Sequence, residues 1–302
     1  MARVLATVGL ATAVSALGEG SAWERVGPRN IFDDEHGRGE AGTLATAASP
    51  AENPSLIYTG GQNNGASSGV MKTTDMGMTW VQASNGLFDT RVQGIFVYPS
   101  APDTEAAAAG QHVLAGGPSG IYESLDGAAS WTLVKGSGAF GQVHTFRLGT
   151  IGGQKHVLAS TSKGLINAPL KGGAWSVITS PHGDWHTPLS IADDGPNTMA
   201  CGCLSGHVVL AAITSPTAAT FTDLPDLKCA IAAIDPNDKS HFLFSNSSGW
   251  QVWESTDAGK TVHATAHLPG SFYVAIDRQG WFYTGAEAGA FRSLDRVRLL
   301  LA

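Results

Sequence analysis

Two stretches of the sequence decide the fold: Gly69-Val-Met-Lys-Thr73-Thr-Asp75-Met-Gly77-Met-Thr79-Trp80 and Gly120-Ile-Tyr-Glu-Ser124-Leu-Asp126-Gly-Ala-Ala-Ser130-Trp131. Each begins with glycine, continues as Ser/Thr-x-Asp-x-Gly/Ala-x-Ser/Thr, and reaches a tryptophan 11 positions after the glycine. An apolar-rich segment followed by small and polar residues is typical of a β-hairpin. A single match of this kind arises by chance, whereas two copies at one spacing indicate internal repeats.

Incomplete copies of the pattern follow along the chain. Ser255-Thr-Asp257-Ala-Gly259-Lys-Thr261 ends in valine instead of tryptophan, and Gly289-Ala-Phe-Arg-Ser293-Leu-Asp295 stops after the aspartate. The copy from Gly164 to Trp175 keeps the spacing without the aspartate. The repeat glycines are residues 69, 120, 164, 206, 249 and 289, and they are separated by 51, 44, 42, 43 and 40 residues. Each separation is long enough for a four-stranded sheet.

The polar residues of the repeat have a structural explanation. Ser/Thr and Asp oxygens can accept hydrogen bonds from backbone N–H groups of their own loop, and glycine permits a positive φ there. The tryptophan starts the next strand and anchors the hairpin in the core. We therefore predict a structural role, and not a catalytic one, for Thr73, Asp75, Gly77, Trp80, Ser124, Asp126, Trp131, Ser255, Asp257, Gly259, Ser293 and Asp295.

This repeat resembles the Asp-box, or BNR, repeat of sialidase-like and sortilin-like propellers. The stretch Trp23-Glu-Arg-Val-Gly27-Pro28, followed by Ala41-Gly42 and Ser49-Pro50, also resembles Asp-box proteins related to xyloglucanases and to photosystem II assembly factors. The resemblance covers most of residues 22–299 and implies an all-β propeller with Asp-box hairpins.

The repeat count predicts a six-bladed β-propeller as a single domain over residues 17–302. The sixth unit lacks its tryptophan strand, while residues 22–26 carry an unpaired one. We expect this N-terminal strand to close the last blade and to bring Trp23 beside Phe291, because closure removes exposed sheet edges. A seven-bladed ring and an open or partial propeller remain as alternatives.

Residues 1–16 have the features of a signal peptide. Arg3 precedes a short apolar segment, and Val14-Ser15-Ala16 offers small residues for cleavage. We therefore expect a secreted monomer, with an organellar lumen as the alternative location. The net charge of −7 argues against nucleic-acid binding, and no apolar run reaches the ~18 residues of a membrane span.

Three cysteines leave the redox state open. If Cys201 and Cys203 lie in one strand, their side chains share a face, and one of them could pair with Cys229. Three free thiols are equally compatible with the sequence. No histidine spacing accompanies the Cys-Gly-Cys, so we predict no metal site and no cofactor.

Candidate site residues fall on the face opposite the repeat hairpins, where the connections between blades meet. Trp185 could stack on a sugar or a peptide. Carboxylates on separate loops could act as acid and base of a glycosidase; the candidates are Asp34, Asp89 and Asp184. The candidate ligand-binding residues are Asp33, His36, Arg38, Asn63, Asn64, Arg91, Trp185 and His186.

The likeness to sialidases covers the scaffold and not the chemistry. Sialidases use an arginine triad, a tyrosine nucleophile and an Arg-Ile-Pro motif, whereas this sequence has Arg29-Asn30-Ile31 and no tyrosine in the proposed site loops. We therefore predict a non-catalytic propeller that binds a protein or carbohydrate ligand. A glycoside hydrolase and a chaperone-like assembly factor are the alternatives.

Overall fold

The computed structural model describes residues 43–62, 69–99, 111–181, 183–185, 188–193, 195–246, 251–267, 273–286 and 289–292. These residues form six antiparallel sheets, five with four strands and one with three. The one helical element among them is a 3₁₀ turn over Ser137–Phe140. The prediction of an all-β fold with four-stranded repeat units is confirmed at this level.

The sheets follow one another along the chain. Sheet 1 contains β1 (Thr43–Ala48), β2 (Ile57–Gln62), β3 (Val70–Thr73) and β4 (Val81–Gln82). Sheet 2 contains β5 (Gly94–Val97), β6 (Val113–Gly117), β7 (Gly120–Ser124) and β8 (Thr132–Leu133). Sheet 3 contains β9 (Val143–Ile151), β10 (Gln154–Thr161), β11 (Gly164–Pro169) and β12 (Ser176–Ile178).

The second half repeats this arrangement. Sheet 4 contains β13 (Ser190–Ala192), β14 (Met199–Leu204), β15 (His207–Ser215) and β16 (Ala218–Lys228). Sheet 5 contains β17 (Ile231–Asp235), β18 (Asp238–Ser245), β19 (Gln251–Ser255) and β20 (His263–His267). Sheet 6 contains β21 (Tyr273–Ile276), β22 (Phe282–Ala286) and β23 (Gly289–Arg292).

Each sheet is a meander, and the core lies between sheets. Within the described residues, a separate hydrophobic cluster fills each junction between successive sheets, from sheets 1 and 2 to sheets 5 and 6. Tyr58 and Trp131, for example, come from neighbouring sheets and pack in one cluster. A central sheet therefore buries both faces, which explains why its strands read as apolar runs rather than strict alternation.

Meander topology gives the molecule two ends. We call the end with the first-to-second and third-to-fourth strand turns the hairpin face. We call the other end, with the second-to-third strand loops and the connections between sheets, the loop face. The repeat pattern seen in the sequence lies on the hairpin face, between the third and fourth strands.

Three third-to-fourth strand loops, which we call carboxylate loops, have one hydrogen-bond pattern. In the loop of sheet 2, Ser124 Oγ accepts a bond from Ala128 N at 2.8 Å and donates to Asp126 Oδ1 at 2.7 Å. Asp126 accepts two bonds from Ser130, from the backbone N at 2.9 Å and from Oγ at 2.6 Å. The same bonds recur at Thr73, Asp75, Gly77 and Thr79 and at Ser255, Asp257, Gly259 and Thr261. The predicted capping of each loop by its own hydroxyl and carboxylate is therefore observed.

These bonds also set the ionisation of the loops. Hydrogen bonds from Thr79 and Thr73 lower the pKa of Asp75 to about 2. Hydrogen bonds from Ser130 and Ser124 lower the pKa of Asp126 to about 2 in the same way. Both carboxylates are thus ionised acceptors at neutral pH and have no spare proton for acid catalysis.

The two repeat tryptophans differ in what they hold. Trp131 is 5% exposed, and its Nε1 donates to the carbonyl oxygen of Ala83 in sheet 1 at 2.7 Å. Trp80 is half-buried, and its Nε1 donates to Gly77 of its own loop at 2.9 Å. Trp131 therefore joins two sheets, whereas Trp80 braces one loop.

A second repeated contact joins the middle strands of three sheets; we call its members the histidine pairs. His112 Nε2 lies 2.7 Å from Glu123 Oε1, and His156 Nδ1 lies 2.9 Å from Asn167 Oδ1. His241 Nε2 lies 2.9 Å from Glu254 Oε1. In each sheet the histidine precedes by two residues a leucine that is paired with the Glu or Asn; these leucines are Leu114, Leu158 and Leu243.

A disulfide connects sheet 4 to the start of sheet 5. Cys203 of β14 is bonded to Cys229, which follows β16, with a sequence separation of 26. Cys201 lies two residues before Cys203, is buried in the same cluster and is a free thiol. The shared face of Cys201 and Cys203 is confirmed, and of the pairings left open by the sequence the structure has Cys203 with Cys229.

Several predictions concern residues outside the described part of the chain. The signal peptide (residues 1–16), Trp23 and the structural residues Ser293 and Asp295 belong to this group, and for Phe291 only the backbone strand is described. The closing N-terminal strand and its contact with Phe291 therefore stay predictions.

Candidate functional site

One large cavity, which we call the central cavity, lies where the first strands of the sheets meet. Its volume is about 1140 Å³. Neighbouring first strands contact each other along the series β1, β5, β9, β13, β17 and β21. Each of the six sheets contributes lining residues, among them Thr46, Gln93, Arg147, Ile191, Ala232 and Tyr273. A large cavity bounded by every sheet is the default hypothesis for a ligand site.

The charged groups of the central cavity include one ion pair. Lys155 Nζ lies 2.5 Å from Asp193 Oδ2 and 2.8 Å from Thr150 Oγ1. Burial acts to raise the pKa of the Asp193 carboxyl, but the bonds from Lys155, Thr150 and Thr198 outweigh it and hold that pKa below its ordinary value. Asp193 is therefore an ionised partner of Lys155.

Arg147 is the cation in the middle of the longest first strand, β9. Its side chain is exposed to the cavity, and Nη1 donates to the Phe146 carbonyl oxygen at 2.8 Å. Partial desolvation by the surrounding protein lowers the pKa of the guanidinium from its usual value. Because arginine loses its proton only above pH ~12, Arg147 stays charged.

Asp89, predicted as a catalytic candidate, forms hydrogen bonds within its own region of the loop face. Its carboxylate accepts bonds from the Arg91 backbone N at 3.0 Å and from Arg91 Nε and Nη2 at 3.3 and 3.2 Å, and a further one from Ser119 Oγ at 3.3 Å. Burial acts to raise the pKa of Asp89, but these bonds and the charge of Arg91 outweigh it and lower the pKa. Asp89 is therefore poorly suited to donate a proton, and its bonds also hold the predicted ligand-binding residue Arg91.

Trp185, predicted to stack on a ligand, is instead a core residue. It is 0% exposed and packs between sheets 3 and 4. Its backbone N donates to the Thr161 carbonyl oxygen at 2.9 Å. A Cβ at Gly202 would lie 2.6 Å from Trp185 Nε1, so the glycine makes room for the indole ring. The ligand-stacking prediction for Trp185 is wrong because the connection into sheet 4 turns the ring inward; the adjacent Asp184 is exposed.

The other predicted site residues lie outside the described part of the chain: Asp33, Asp34, His36, Arg38, Asn63, Asn64 and His186. In the described ranges, His, Cys, Asp and Glu side chains do not gather in groups of three or more that could hold a metal ion. The same ranges contain no helix long and apolar enough to cross a bilayer.

Sequence reasoning missed Arg147 and the histidine pairs. Arg147 stands between Phe146 and Leu148 in the run His144-Thr-Phe-Arg-Leu-Gly149, and a charge inside an apolar strand is a usable signal. The histidine pairs follow a repeated His-x-Leu, at residues 112–114, 156–158 and 241–243, that the hairpin pattern overshadowed. Their Glu and Asn partners depend on strand register and carry no such signal.

Solved structures similar to this chain are β-propellers. An ancestral GH74 enzyme matches with a TM-score of 0.65 and 13% identity over 90% of this chain and 38% of that chain. The GH74 enzyme of Niastella koreensis matches with a TM-score of 0.58 and 15% identity over 85% of this chain and 46% of that one. YCF48 from Cyanidioschyzon merolae gives 0.45 and 13% over 82% of this chain and 94% of that one.

The likeness supports a β-propeller fold for the chain. This chain spans less than half the length of the two GH74 enzymes it matches. No protein-family model and no curated protein sequence matches it.

Proposed function

We propose that this chain is a secreted, non-catalytic propeller that binds a protein segment at its central cavity. The observation that supports this proposal most directly concerns the carboxylate of the cavity. Among the described lining residues Asp193 is the one acidic side chain, and its carboxylate is bonded to Lys155 and Thr150. Glycoside hydrolysis ordinarily requires two carboxyl groups flanking the substrate bond. A cavity furnished in this way favours binding over hydrolysis.

The finer details of the fold belong to the same proposal. The carboxylate loops act as Asp-box repeats, and the six sheets close into a six-bladed ring completed by residues 22–26. One bonding pattern in three loops and one cavity lined by all six sheets support this arrangement. The Cys203–Cys229 disulfide supports an oxidising compartment, because disulfides persist mainly in secreted and lumenal proteins.

The rival function is a glycoside hydrolase. Its support is the GH74 scaffold, at 13–15% identity, and a likeness at that level concerns the fold alone. Asp184 is exposed on the loop face and is the described candidate left to this reading. An assembly-factor role is a special case of protein binding and is tested by the same experiment.

A cavity-filling variant tests the proposal. Peptides selected from a random library on the parent protein would be titrated calorimetrically into Ala275→Trp, which places an indole at the cavity wall, and into Val81→Trp, an exposed position on β4. We expect Ala275→Trp to lose binding at least tenfold and Val81→Trp to retain it. Equal binding by both variants would refute the cavity site.

A parallel assay addresses the rival. The parent and Asp184→Asn would be incubated with xyloglucan and other plant and microbial glycans while reducing ends are measured. Release by the parent that disappears in Asp184→Asn would establish the hydrolase and overturn the proposal.

A further inference from the structure

The charge of the central cavity is opposite to that of the chain. The described lining residues include three cations, Arg147, Lys155 and Arg278, and one carboxylate, Asp193, which leaves two positive charges; the whole chain has a net charge of −7. His144 also lines the cavity. A cleft lined by one sign of charge between low-dielectric walls concentrates ligands of the other sign.

Arg147 has the unused bonding capacity. A guanidinium has five N–H donors, and one of them is given to the Phe146 carbonyl oxygen. No carboxylate of the described residues forms an ion pair with it, in contrast to Lys155 with Asp193 and Arg91 with Asp89. A cavity-lining guanidinium with four donors that the described residues leave unused suits a bidentate oxyanion.

The turn of sheet 6 adds a second cation toward the hairpin face. Arg278 lies between β21 and β22, and its side chain is exposed. Asp235 and Asp238 flank the first-to-second strand turn of sheet 5, and Asp277 lies beside Arg278 in the turn of sheet 6. Each accepts a local bond, from Asn237 N, Ser240 N and Gln279 N respectively. None of these three is a lining residue of the cavity, although Asp277 accepts a bond from the hydroxyl of the lining residue Tyr283 at 2.9 Å.

The polar lining suits a peptide better than a sugar chain. None of the described tryptophans, the largest rings for stacking on a sugar, lines the cavity, and its aromatic rings are those of Tyr273 and Tyr283 and the imidazole of His144. Tyr273, 62% exposed, offers a ring and a hydroxyl, while Gln93 and Asn237 offer side-chain amides that can bond a peptide backbone.

We infer that the ligand of the central cavity is an acidic, extended peptide segment, and that Arg147 binds one of its carboxylates. This inference rests on the proposed function for the location of the site. It adds the sign of the ligand's charge and the residue that selects it.

Matched probes test the inference. Hexaglutamate and hexaglutamine peptides would be titrated calorimetrically at low salt into the parent, Arg147→Gln and Arg147→Lys. Arg91→Gln is the control, because that arginine is exposed on the loop face and paired with Asp89. We expect hexaglutamate to bind the parent at least tenfold more tightly than hexaglutamine. Arg147→Gln should lose that preference, Arg147→Lys should keep part of it, and Arg91→Gln should keep all of it.

The contrary outcomes are distinct. Equal affinity for the two peptides, or equal losses in Arg147→Gln and Arg91→Gln, would overturn the acidic-peptide inference while leaving the cavity test of Ala275→Trp valid. Tighter binding of oligogalacturonate than of hexaglutamate would overturn the peptide assignment. Melting curves of each variant exclude unfolding as the cause, since a folded Arg147→Lys preserves the interpretation if Arg147→Gln fails to fold.

Discussion

The carboxylate loops and the histidine pairs are both repeated, yet they stabilise the molecule in different ways. Asp126 is exposed, and its carboxylate bonds residues at most four positions away. The pair of His241 and Glu254 is buried, joins β18 to β19 and extends to Asp235 at the end of β17, with His241 Nδ1 3.2 Å from Asp235 Oδ2. The ring of His241 also meets the ring of Phe282 in sheet 6, with centroids 5.2 Å apart.

The difference concerns what each network holds. A carboxylate loop fixes the turn of one hairpin and exchanges its bonds with solvent at little cost. The cluster of His241, Glu254 and Asp235 joins three strands of sheet 5 and contacts sheet 6. At this buried position, water cannot solvate a charge that has lost its partner. Repetition in the sequence is therefore no guide to energetic weight.

The largest effect is expected at the buried cluster. His241→Ala should lower the free energy of unfolding by about 3 kcal/mol, because it leaves two buried carboxylates without their shared partner. Urea denaturation would measure it. His112→Ala is the matched control at the same register position, and since His112 and Glu123 are more exposed we expect a loss below about 1 kcal/mol. Equal losses in both variants would erase the contrast between the pairs.

A smaller effect is expected in the carboxylate loops. Asp126→Ala should cost about 1 kcal/mol, below the ~1.5–3 kcal/mol typical of hydrogen bonds to charged groups, because solvent can replace the lost acceptor. Asp226→Ala, an exposed position on β16, serves as the control and should be neutral. A variant as stable as the parent but altered in ligand binding would contradict the structural role of Asp126.

The smallest effect separates the two networks by pH. The pKa values of Asp75 and Asp126 are lowered to about 2, so their contribution to stability is present above the unfolded value of ~3.9 and is lost as pH falls toward 2. Burial acts to lower the pKa of His241, but Glu254 and Asp235 outweigh it and raise that pKa; Asp238 is a further nearby carboxylate. The contribution of His241 is therefore present below pH ~6.5 and is lost as pH rises through its folded pKa.

Chemical denaturation across pH 2–9 would test this separation. Asp126→Asn should reduce the slope of the acid limb alone, because Asp75 and other carboxylates still contribute to it, and His241→Gln should reduce the slope of the neutral-to-alkaline limb alone. A single variant that flattened both limbs would mean that the two networks are coupled.

The sequence predicted the parts of the fold that are local. In sheet 2, β7 starts at the repeat glycine Gly120 and β8 follows the repeat tryptophan Trp131 directly, as the repeat pattern predicts. The carboxylate loops were predicted with their bonding because every donor and acceptor lies within one loop. The resemblance to Asp-box propellers supplied the arrangement that spacing alone leaves open.

The candidate site was predicted less well because its residues meet across sheets. Trp185 is a loop tryptophan in the sequence, and only its packing against Gly202 reveals a core residue. Arg91 and Asp89 are two charges near one another in the sequence. In the structure they bond each other, which makes both less available to a ligand. Arg147 lines a cavity formed by six separate first strands, a property that no window of sequence contains.

The Cys203–Cys229 bond gives the chain a length that depends on its redox state. The bond encloses β15 and β16, so a chain pulled from its two ends cannot extend the segment between residues 203 and 229. At roughly 3.4 Å per residue, that segment hides about 80–90 Å of contour from the applied force. An unfolding machine threading the oxidised chain would have to pass two strands at once at sheet 4, whereas the reduced chain would run through as a single thread.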